Sequence, residues 1–360
     1  MKTLFSTWIV GLLMILMSSP AHSEEGTSPK GANELVMLCW TDYMPRPVMD
    51  LFEKETGIHI TVDYFSTHLE MLQQLLVSKS YYDLIQTTGF MVHELNEGRT
   101  DMLSPIDQEK IPNLANIGQE FKNLPFDPGN KYSIPIMIST VGIVVNKTLV
   151  GDTKVEHFAD AFQERFRDKI VVDDDPVEIM HWTLLSQGTS PEGVSGADLE
   201  RVRPILQKWL PMVHLFVPYN SHEPMLKGDG ALGVIYSGDA AILIDKDPKF
   251  QWILPAEQTR MIVDCLAIPK GARHVENAER FMNFLLRPDV SKMFSDFWPG
   301  TNPNLKAREL MSPKQLANEA SYPTAEQMSR LKPIRNVRAE DVETMSNIVR
   351  DIRDPFQPTH

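Results

Sequence analysis

Two aromatic side chains and a carboxylate lie close together near the start of the sequence. Trp40 and Tyr43 each offer a π face, and Asp42 places a negative charge between them. This combination suits an organic cation better than a sugar or an anion, because aromatic faces attract cations. The two rings could also simply close the top of a hydrophobic core, and this pair alone leaves both interpretations open.

A dense acidic segment at 173–178 follows an apolar run in the middle of the chain. Asp175 as an N-cap, Pro176 at the first helical position and Glu178 at the third predict a capping box at the start of a helix. The same carboxylates could bind a cation at the edge of a cleft, and the two roles are compatible. The segment lacks the glycine and the acidic spacing of a calcium loop, so we predict no metal site and no cofactor.

Other candidates lie where predicted strands end or cross the core. Thr88 and Phe90 follow one apolar strand. Tyr236 ends another strand, and Asp239, at the start of the next helix, could be only an N-cap. Asp264 lies inside the apolar run 261–268, where a buried carboxylate needs a partner, either a ligand or a structural salt bridge.

Strand and helix patterns alternate along the chain, which is typical of an α/β fold. The length of 360 residues and the hydrophobic content of 42% favour two lobes, each a mainly parallel sheet flanked by helices. The patterns predict strands at 35–40, 58–62, 83–87, 132–138, 141–145, 169–172, 213–217, 232–236 and 261–268. They predict helices at 47–56, 68–78, 90–97, 155–166, 176–187, 197–210, 239–244, 276–286, 289–297 and 339–353.

A proline-rich passage between 105 and 128 precedes the predicted crossing into the second lobe. We assign 33–138 and 263–308 to the first lobe, and 139–262 and 309–355 to the second. Two long crossings between the lobes predict a hinge. Ligands of open α/β sheets bind at the carboxyl ends of the strands, where the candidate residues lie.

Residues 1–23 have the layout of a secretory signal peptide, with Lys2, an apolar run to Met17 and small residues before a cut placed after Ser23. No cysteine lies near that cut to carry a lipid, and no later apolar stretch could span a bilayer. We therefore expect a soluble protein of the periplasm. The net charge of −13 argues against nucleic acid and anionic membranes and favours cationic ligands.

Motifs for nucleotides or catalysis are misplaced or absent from the sequence. Gly228, Gly230 and Gly233 match G-x-G-x-x-G, but they follow a predicted helix and open a strand, the reverse of the required context, so we interpret them as a turn. The sequence contains no H-E-x-x-H and no G-x-S-x-G. Cys39 and Cys265 could pair in an oxidising compartment, and the sequence leaves that bond open.

Several segments together resemble the periplasmic spermidine/putrescine-binding proteins of bacterial polyamine importers, a family with norspermidine-sensing relatives. The resemblance covers almost the whole mature chain and implies a two-lobed, hinge-closing periplasmic binding protein of type II. In that family aromatic side chains enclose the methylene groups of a polyamine, and carboxylates bind its ammonium groups. The segments that carry the resemblance are 40–45, 52–57, 82–84, 125–128, 132–135, 264–269 and 283–290.

The resemblance also implies the residues of the site. Ile262 stands where the family has a tryptophan, and Phe90 stands where it has a tyrosine. Each missing cation–π contact would weaken binding by about 0.5 to 2 kcal/mol. With Asp42 added from its own chemistry, the predicted ligand-binding residues are Trp40, Asp42, Tyr43, Thr88, Phe90, Asp175, Glu178, Tyr236, Asp239 and Asp264.

The sequence thus predicts a periplasmic protein, mostly monomeric, that captures a linear polyamine, with spermidine or norspermidine ahead of putrescine. Its partner would be the permease of an inner-membrane ABC importer or, alternatively, the periplasmic domain of a membrane signalling receptor. A third hypothesis is an extracellular hydrolase that uses the acidic segment. We expect no enzymatic activity, because the motifs of a hydrolase are missing.

Overall fold

The computed structural model describes residues 33–78, 80–97, 101–218, 220–334 and 339–356. The predicted signal peptide, residues 1–23, lies outside the described residues. Among the helices that the structure describes, none has the length and apolar character needed to cross a membrane.

Two sheets and their helices make up the described part of the chain. Its strands are β1 (Glu34–Trp40), β2 (His59–Phe65), β3 (Leu84–Thr88), β4 (Leu103–Ser104), β5 (Ser133–Ser139), β6 (Val141–Asn146), β7 (Ile170–Asp173), β8 (Val213–Val217), β9 (Leu232–Tyr236), β10 (Phe250–Ile253), β11 (Thr259–Pro269) and β12 (Leu331–Pro333). Its helices are α1 (Arg46–Thr56), α2 (His68–Val77), α3 (Gly89–Glu97), α4 (Lys147–Val150), α5 (Phe158–Ala161), α6 (Pro176–Ser186), α7 (Gly196–Trp209), α8 (His222–Lys227), α9 (Ser237–Lys246), α10 (Val275–Leu285), α11 (Pro288–Phe297), α12 (Leu305–Arg308), α13 (Pro313–Leu316), α14 (Ala325–Arg330) and α15 (Ala339–Arg353).

The first sheet has the strand order β12-β11-β3-β1-β2, with β4 and β5 also paired to β11. Strand β1 is parallel to β2 and β3, and its apolar side chains are buried between the helices. Gly57 ends α1 in the left-handed conformation, at φ 71°, which allows the tight return into β2. Trp40 and Thr88 are the last residues of two adjacent parallel strands, so both reach the same edge of the sheet.

The second sheet has the strand order β10-β6-β9-β7-β8. Strand β7 is parallel to β8 and β9, whereas β6 runs antiparallel to β9 and β10. Asp173 and Tyr236 end the adjacent strands β7 and β9. The acidic segment and Tyr236 therefore share one edge of this sheet, as the sequence predicts from strand ends.

Both sheets are mixed rather than mainly parallel, because the strands that connect the lobes pair antiparallel with neighbouring strands. Strand β5 belongs to the first sheet and β6 to the second, with Thr140 between them, and β10 leads back to β11 in the first sheet. We call the first sheet with its helices the first lobe and the second sheet with its helices the second lobe.

The predicted lobe boundaries differ in part from the sheets. The sequence assigned 309–355 to the second lobe, but β12 pairs with β11 in the first sheet, while α15 packs against α6 and α7 of the second lobe. Strand β11 begins at Thr259 and pairs with β5 as early as Ile262, so the return to the first sheet precedes residue 263. The division into lobes by residue number remains a proposal.

One predicted helix is wrong. Residues 155–166 form only the short α5 and a single turn of 3₁₀ helix at Glu164–Phe166. The chain leaves the helical conformation at Phe162, whose ring stacks on Trp182 at 5.5 Å and on Trp209 at 4.7 Å. Tertiary aromatic packing thus overrides the local pattern. Strands β8 and β9 and helix α15 have the predicted bounds.

Candidate functional site

The first lobe places Trp40 at the carboxyl end of β1. The Trp40 amide N–H donates a 3.1 Å hydrogen bond to Gln86 Oε1 on the neighbouring strand β3. The indole ring lies 4.4 Å from the ring of Phe65 and meets His68 edge-on at 5.0 Å. Trp40 remains half-buried, so part of its ring is available to a ligand.

A tight turn after β1 directs Tyr43 toward the interior. Asp42 adopts the left-handed conformation, at φ 56°, and the Tyr43 amide donates to the Trp40 carbonyl at 3.1 Å. The Tyr43 ring stacks on Trp298 at 5.7 Å, and the Trp298 indole N–H donates to the Tyr43 carbonyl at 2.7 Å. Asp42 itself is exposed, so the turn separates this carboxylate from the half-buried ring beside it.

Tyr43 and Asp264 meet directly. The Tyr43 hydroxyl donates a 2.6 Å hydrogen bond to Asp264 Oδ2, and Asp264 pairs with Thr88 across β11 and β3. Asp264 is 8% exposed. Burial raises the pKa of Asp264 to about 6, and the Tyr43 hydroxyl and the charge of Arg260 oppose that rise. A nearby cation would therefore stabilise the ionised form of this carboxyl and lower its pKa again.

Thr88 and Phe90 lie around a buried histidine. His68 Nε2 is 3.0 Å from the Thr88 hydroxyl, and the His68 ring lies 4.9 Å from the Phe90 ring. Burial lowers the pKa of His68 to about 4, so its imidazole is neutral at physiological pH. Phe90 is fully buried. His68, Thr88 and Phe90 therefore form an uncharged surface that offers a ligand no ionic contact.

The second lobe contributes Asp175 and Tyr236. Asp175 Oδ1 accepts hydrogen bonds from the backbone amides of Val177 at 3.0 Å and Glu178 at 3.1 Å, which confirms the predicted N-cap of α6. The Tyr236 hydroxyl donates to Asp175 Oδ2 at 2.9 Å. Burial and then the charge of Asp175 raise the pKa of Tyr236 well above its usual value, so this hydroxyl keeps its proton.

Glu178 does not complete the predicted capping box. Its carboxylate forms an ion pair with Arg260 of β11, so the contact joins the second lobe to the first. The Arg260 guanidinium also donates to His181 Nδ1 at 2.8 Å and lies 4.7 Å from the centre of the Phe90 ring. A cation of the chain itself therefore contacts two of the predicted ligand-binding residues.

Asp239 has a partner within its own lobe. Its Oδ1 pairs with His222 Nδ1 and accepts a hydrogen bond from the His222 amide at 3.2 Å. Asp173, which the sequence analysis did not select, accepts hydrogen bonds from the Ser221 hydroxyl and the Tyr236 amide. Burial, and then the charge of Asp239, raise the pKa of Asp173 well above its usual value.

Some charged residues of one lobe lie close enough to the other lobe to shift the pKa of residues there. Asp175 of the second lobe acts on the pKa of His68 and Arg260, and Asp264 acts on that of Tyr236. The structure thus brings one set of predicted residues to the space between the lobes, namely Trp40, Tyr43, Thr88, Phe90, Asp175, Glu178, Tyr236 and Asp264. We call this space the cleft.

A groove adjoins the cleft at Trp298. Its volume is about 560 Å³, and its lining includes Asp42, Tyr64 and Trp298 of the first lobe and Asn220 of the second. Trp298 also stacks on Tyr43, so the groove and the cleft share a wall. Asp42 therefore lies at the rim rather than inside the cleft.

Sequence reasoning missed Arg260, His68, His181 and Trp298. Arg260 had a usable signal: it stands four residues before Asp264 in a strand, and residues at even spacing project from the same face. The other three lie on helices or at a helix end. Their positions depend on tertiary contacts that a single sequence does not specify.

The described residues contain no group of three or more histidine, cysteine or acidic side chains arranged to hold a metal ion. Cys39 and Cys265 are both free thiols and both buried. Burial raises the pKa of Cys39 to about 12, so its thiol is protonated and unreactive. The bond left open by the sequence is not formed in this structure.

Two lobes with crossing strands and a site between them define a periplasmic binding protein of type II. The chain belongs to the bacterial extracellular solute-binding proteins, whose family model matches residues 48–324, and among them to the relatives of the spermidine/putrescine-binding periplasmic proteins. The protein of that name from Escherichia coli K12 is 31% identical over 317 residues, which are 88% of each chain.

Solved structures agree with this assignment. A Listeria monocytogenes protein, provisionally assigned as a spermidine/putrescine ABC transporter, has a TM-score of 0.84 and 26% identity over 89% of this chain and 99% of its own. The substrate-binding protein PotD of the spermidine/putrescine ABC transporter from Streptococcus pneumoniae has a TM-score of 0.74 and 29% identity over 89% and 98% of the two chains.

Proposed function

We propose that this protein captures a linear polyamine in the cleft and presents it to an ABC importer. One observation carries the proposal: each lobe offers a carboxylate whose partner is a tyrosine hydroxyl, Asp264 with Tyr43 and Asp175 with Tyr236. The Tyr43 hydroxyl occupies Oδ2 of Asp264, whereas Asp175 accepts from two backbone amides at Oδ1 and from Tyr236 at Oδ2. A carboxylate oxygen can accept more than one hydrogen bond, so both acids can still bind a cation. Carboxylates on opposite lobes suit a molecule with an ammonium group at each end.

Aromatic groups supply the rest of the binding surface. Tyr43 and Tyr236 lie beside these carboxylates, and Trp40 lies at the carboxyl end of β1, next to the end of β3. These three rings would contact the methylene groups between the ammonium groups. Burying charged ammonium groups is tolerable only where each one has a partner. The two acids meet that condition for the two ends of a ligand.

Such a ligand would stabilise the closed arrangement, because it contacts both lobes at once. A membrane partner could then distinguish the loaded protein from the empty one. The names of the relatives support the permease of an ABC importer as that partner. We propose a monomer of the periplasm, secreted by the predicted segment 1–23, with no catalytic activity of its own.

Calorimetry of the ligand-stripped mature protein tests the proposal, with putrescine, spermidine, norspermidine and spermine as ligands. We expect at least one amine to bind with a Kd of about 1 μM or tighter, a binding free energy near −8 kcal/mol. Glutamate and glucose serve as anionic and neutral controls. Failure of all four amines to bind, or turnover of any of them, would contradict the proposal.

A further inference from the structure

Arg260 occupies an unusual place for an arginine. It belongs to β11 of the first lobe, is 5% exposed, and extends its guanidinium to Glu178 on α6 of the second lobe. The same guanidinium contacts His181 Nδ1 at 2.8 Å and lies 4.7 Å from the centre of the Phe90 ring. It therefore has an acid, an imidazole and an aromatic face around it, the surroundings expected for a bound organic cation.

The neighbouring histidines do not add charge to this region. Burial lowers the pKa of both His68 and His181 to about 4, so both are neutral. Among the cleft carboxylates, Glu178 is compensated by Arg260, whereas Asp175 and Asp264 have tyrosine hydroxyls as partners. Two negative charges therefore remain for a ligand.

Hydrogen-bond donors beside Arg260 also disfavour a second cation. A guanidinium can only donate, so His181 Nδ1 accepts and the histidine proton is on Nε2. Both His181 Nε2 and Arg260 Nε are buried without a hydrogen-bond partner among the described residues. Two unpartnered donors need an acceptor, and an ammonium group offers none.

We infer that Arg260 is a specificity-determining residue, a built-in cation that fills the subsite of Glu178 and limits the cleft to two buried ammonium groups. The inference rests on the proposed function and adds to it the charge of the preferred ligand. Ile262 and Asp264 follow Arg260 on the same face of β11 at even spacing, so one strand supplies both the internal cation and an acid for the ligand. A third ammonium group of a longer amine gains little, because it finds no free acid inside.

The test compares putrescine with spermidine on wild-type protein and on Arg260→Met, which removes the charge but keeps an apolar stem. We expect the ratio of spermidine to putrescine affinity to rise by about tenfold or more in Arg260→Met, because Glu178 becomes available to a third ammonium group. Arg260→Lys keeps a cation and should leave the ratio within a few-fold of wild type. An unchanged ratio in Arg260→Met, or an equal loss for both amines, would overturn the inference and reduce Arg260 to a link between the lobes.

A double variant controls for the possibility that the unpaired Glu178 carboxylate in Arg260→Met prevents folding. Arg260→Met with Glu178→Gln removes both charges, and we expect it to return the ratio toward the wild-type value while melting as cooperatively as wild type. Retention of the raised ratio in this double variant would also contradict the role given to Glu178. If the wild-type protein binds neither amine, the proposed function fails and the inference with it. Binding with an unchanged ratio refutes only the role of Arg260.

Discussion

The Tyr43 hydroxyl donates a 2.6 Å hydrogen bond to Asp264, a residue 221 positions away in the sequence. This contact joins the turn after the first strand to the middle of β11, the strand that returns from the second lobe. It also influences the charge of the acid, because burial raises the pKa of Asp264 to about 6 against the opposing effect of the Tyr43 hydroxyl. Ligand binding and protonation are therefore coupled at this pair.

Tyr43→Phe should make amine binding more sensitive to acid. The substitution keeps the ring on Trp298 but removes the hydroxyl, so the pKa of Asp264 rises further and more of the carboxyl is protonated at a given pH. We expect affinity to fall as pH decreases through about 6 in wild type, and the fall to begin at higher pH in the variant. Calorimetric titrations at several pH values measure the midpoint.

A matched pair outside the cleft controls for the loss of a tyrosine hydroxyl. Tyr82 donates to Asp63 at 3.1 Å, on the outer part of the first lobe. Tyr82→Phe should leave the pH profile of binding unchanged. If Tyr43→Phe and wild type had the same pH profile, protonation of Asp264 would not be coupled to ligand binding.

Asp264→Asn should weaken amine binding and raise the free energy of unfolding of the ligand-free protein. The loss of the charge leaves an ammonium group partly unpaired, which weakens the best ligand by on the order of 2 kcal/mol. In the empty protein the folded pKa of about 6 exceeds the usual 3.8, so the folded state binds the proton more tightly than the unfolded state does. Wild-type stability therefore falls as pH rises from about 4 to about 6, and the loss is complete above that range.

The amide of Asp264→Asn does not titrate, so the variant should lose that pH dependence. Above about pH 6 we expect its free energy of unfolding to exceed that of wild type by on the order of 2 kcal/mol. Denaturant unfolding of the ligand-free proteins at pH 4 and pH 7.5 provides the measurement. Asp63→Asn is the control and should leave amine binding unchanged, because Asp63 bonds to Tyr82 and not to a residue of the cleft. If Asp264→Asn and wild type are equally stable at pH 4 and equally stable at pH 7.5, the expected cost of burying the charge is contradicted.

The sequence was sufficient to predict which residues lie at strand ends and helix starts of this site. It was insufficient to predict which side chains contact each other across the two lobes. Apolar runs located β1, β3, β7 and β9, and their last residues place Trp40, Thr88 and Tyr236 at sheet edges, because strand ends are local properties. The contact of Arg260 with His181 joins residues 79 apart in different lobes, and no local pattern specifies it. Glu178 illustrates the difference: its helical position was predicted, but its partner was not.

Asp175→Asn offers a test of charge with little change in the fold. Asparagine is as good an N-cap as aspartate, so the bonds to the start of α6 should survive. We expect amine affinity to fall by on the order of 2 kcal/mol, because the second-lobe carboxylate is lost, while the melting temperature changes by only a few degrees. Calorimetry and thermal unfolding of the same preparation measure the two quantities.

Asp239→Asn is the comparison for this variant. Its carboxylate already pairs with His222, so the substitution should lower stability more than it lowers affinity. A larger loss of affinity in Asp239→Asn than in Asp175→Asn would show that Asp239, and not Asp175, is the ligand's acid in the second lobe.

Gly89→Ala should distort the first lobe at the point where it meets the ligand. Gly89 begins α3 between Thr88 and Phe90, and a Cβ there would lie 2.3 Å from the ring of Phe126. Because Phe126 is buried, the ring cannot simply swing away, and α3 must shift. Overpacking of this kind costs about 1 to 3 kcal/mol of stability. The displacement of Phe90 should also weaken amine binding, which calorimetry would measure beside thermal unfolding.

Gly238→Ala is the matched control, because it changes a glycine in the first turn of α9, in the second lobe. A Cβ at Gly238 meets nothing within 4 Å, so the substitution should be tolerated and should slightly favour the helix. If Gly89→Ala binds amines as Gly238→Ala does, the start of α3 can move without consequence for the ligand. Phe90 would then serve the core of the first lobe rather than the wall of the cleft.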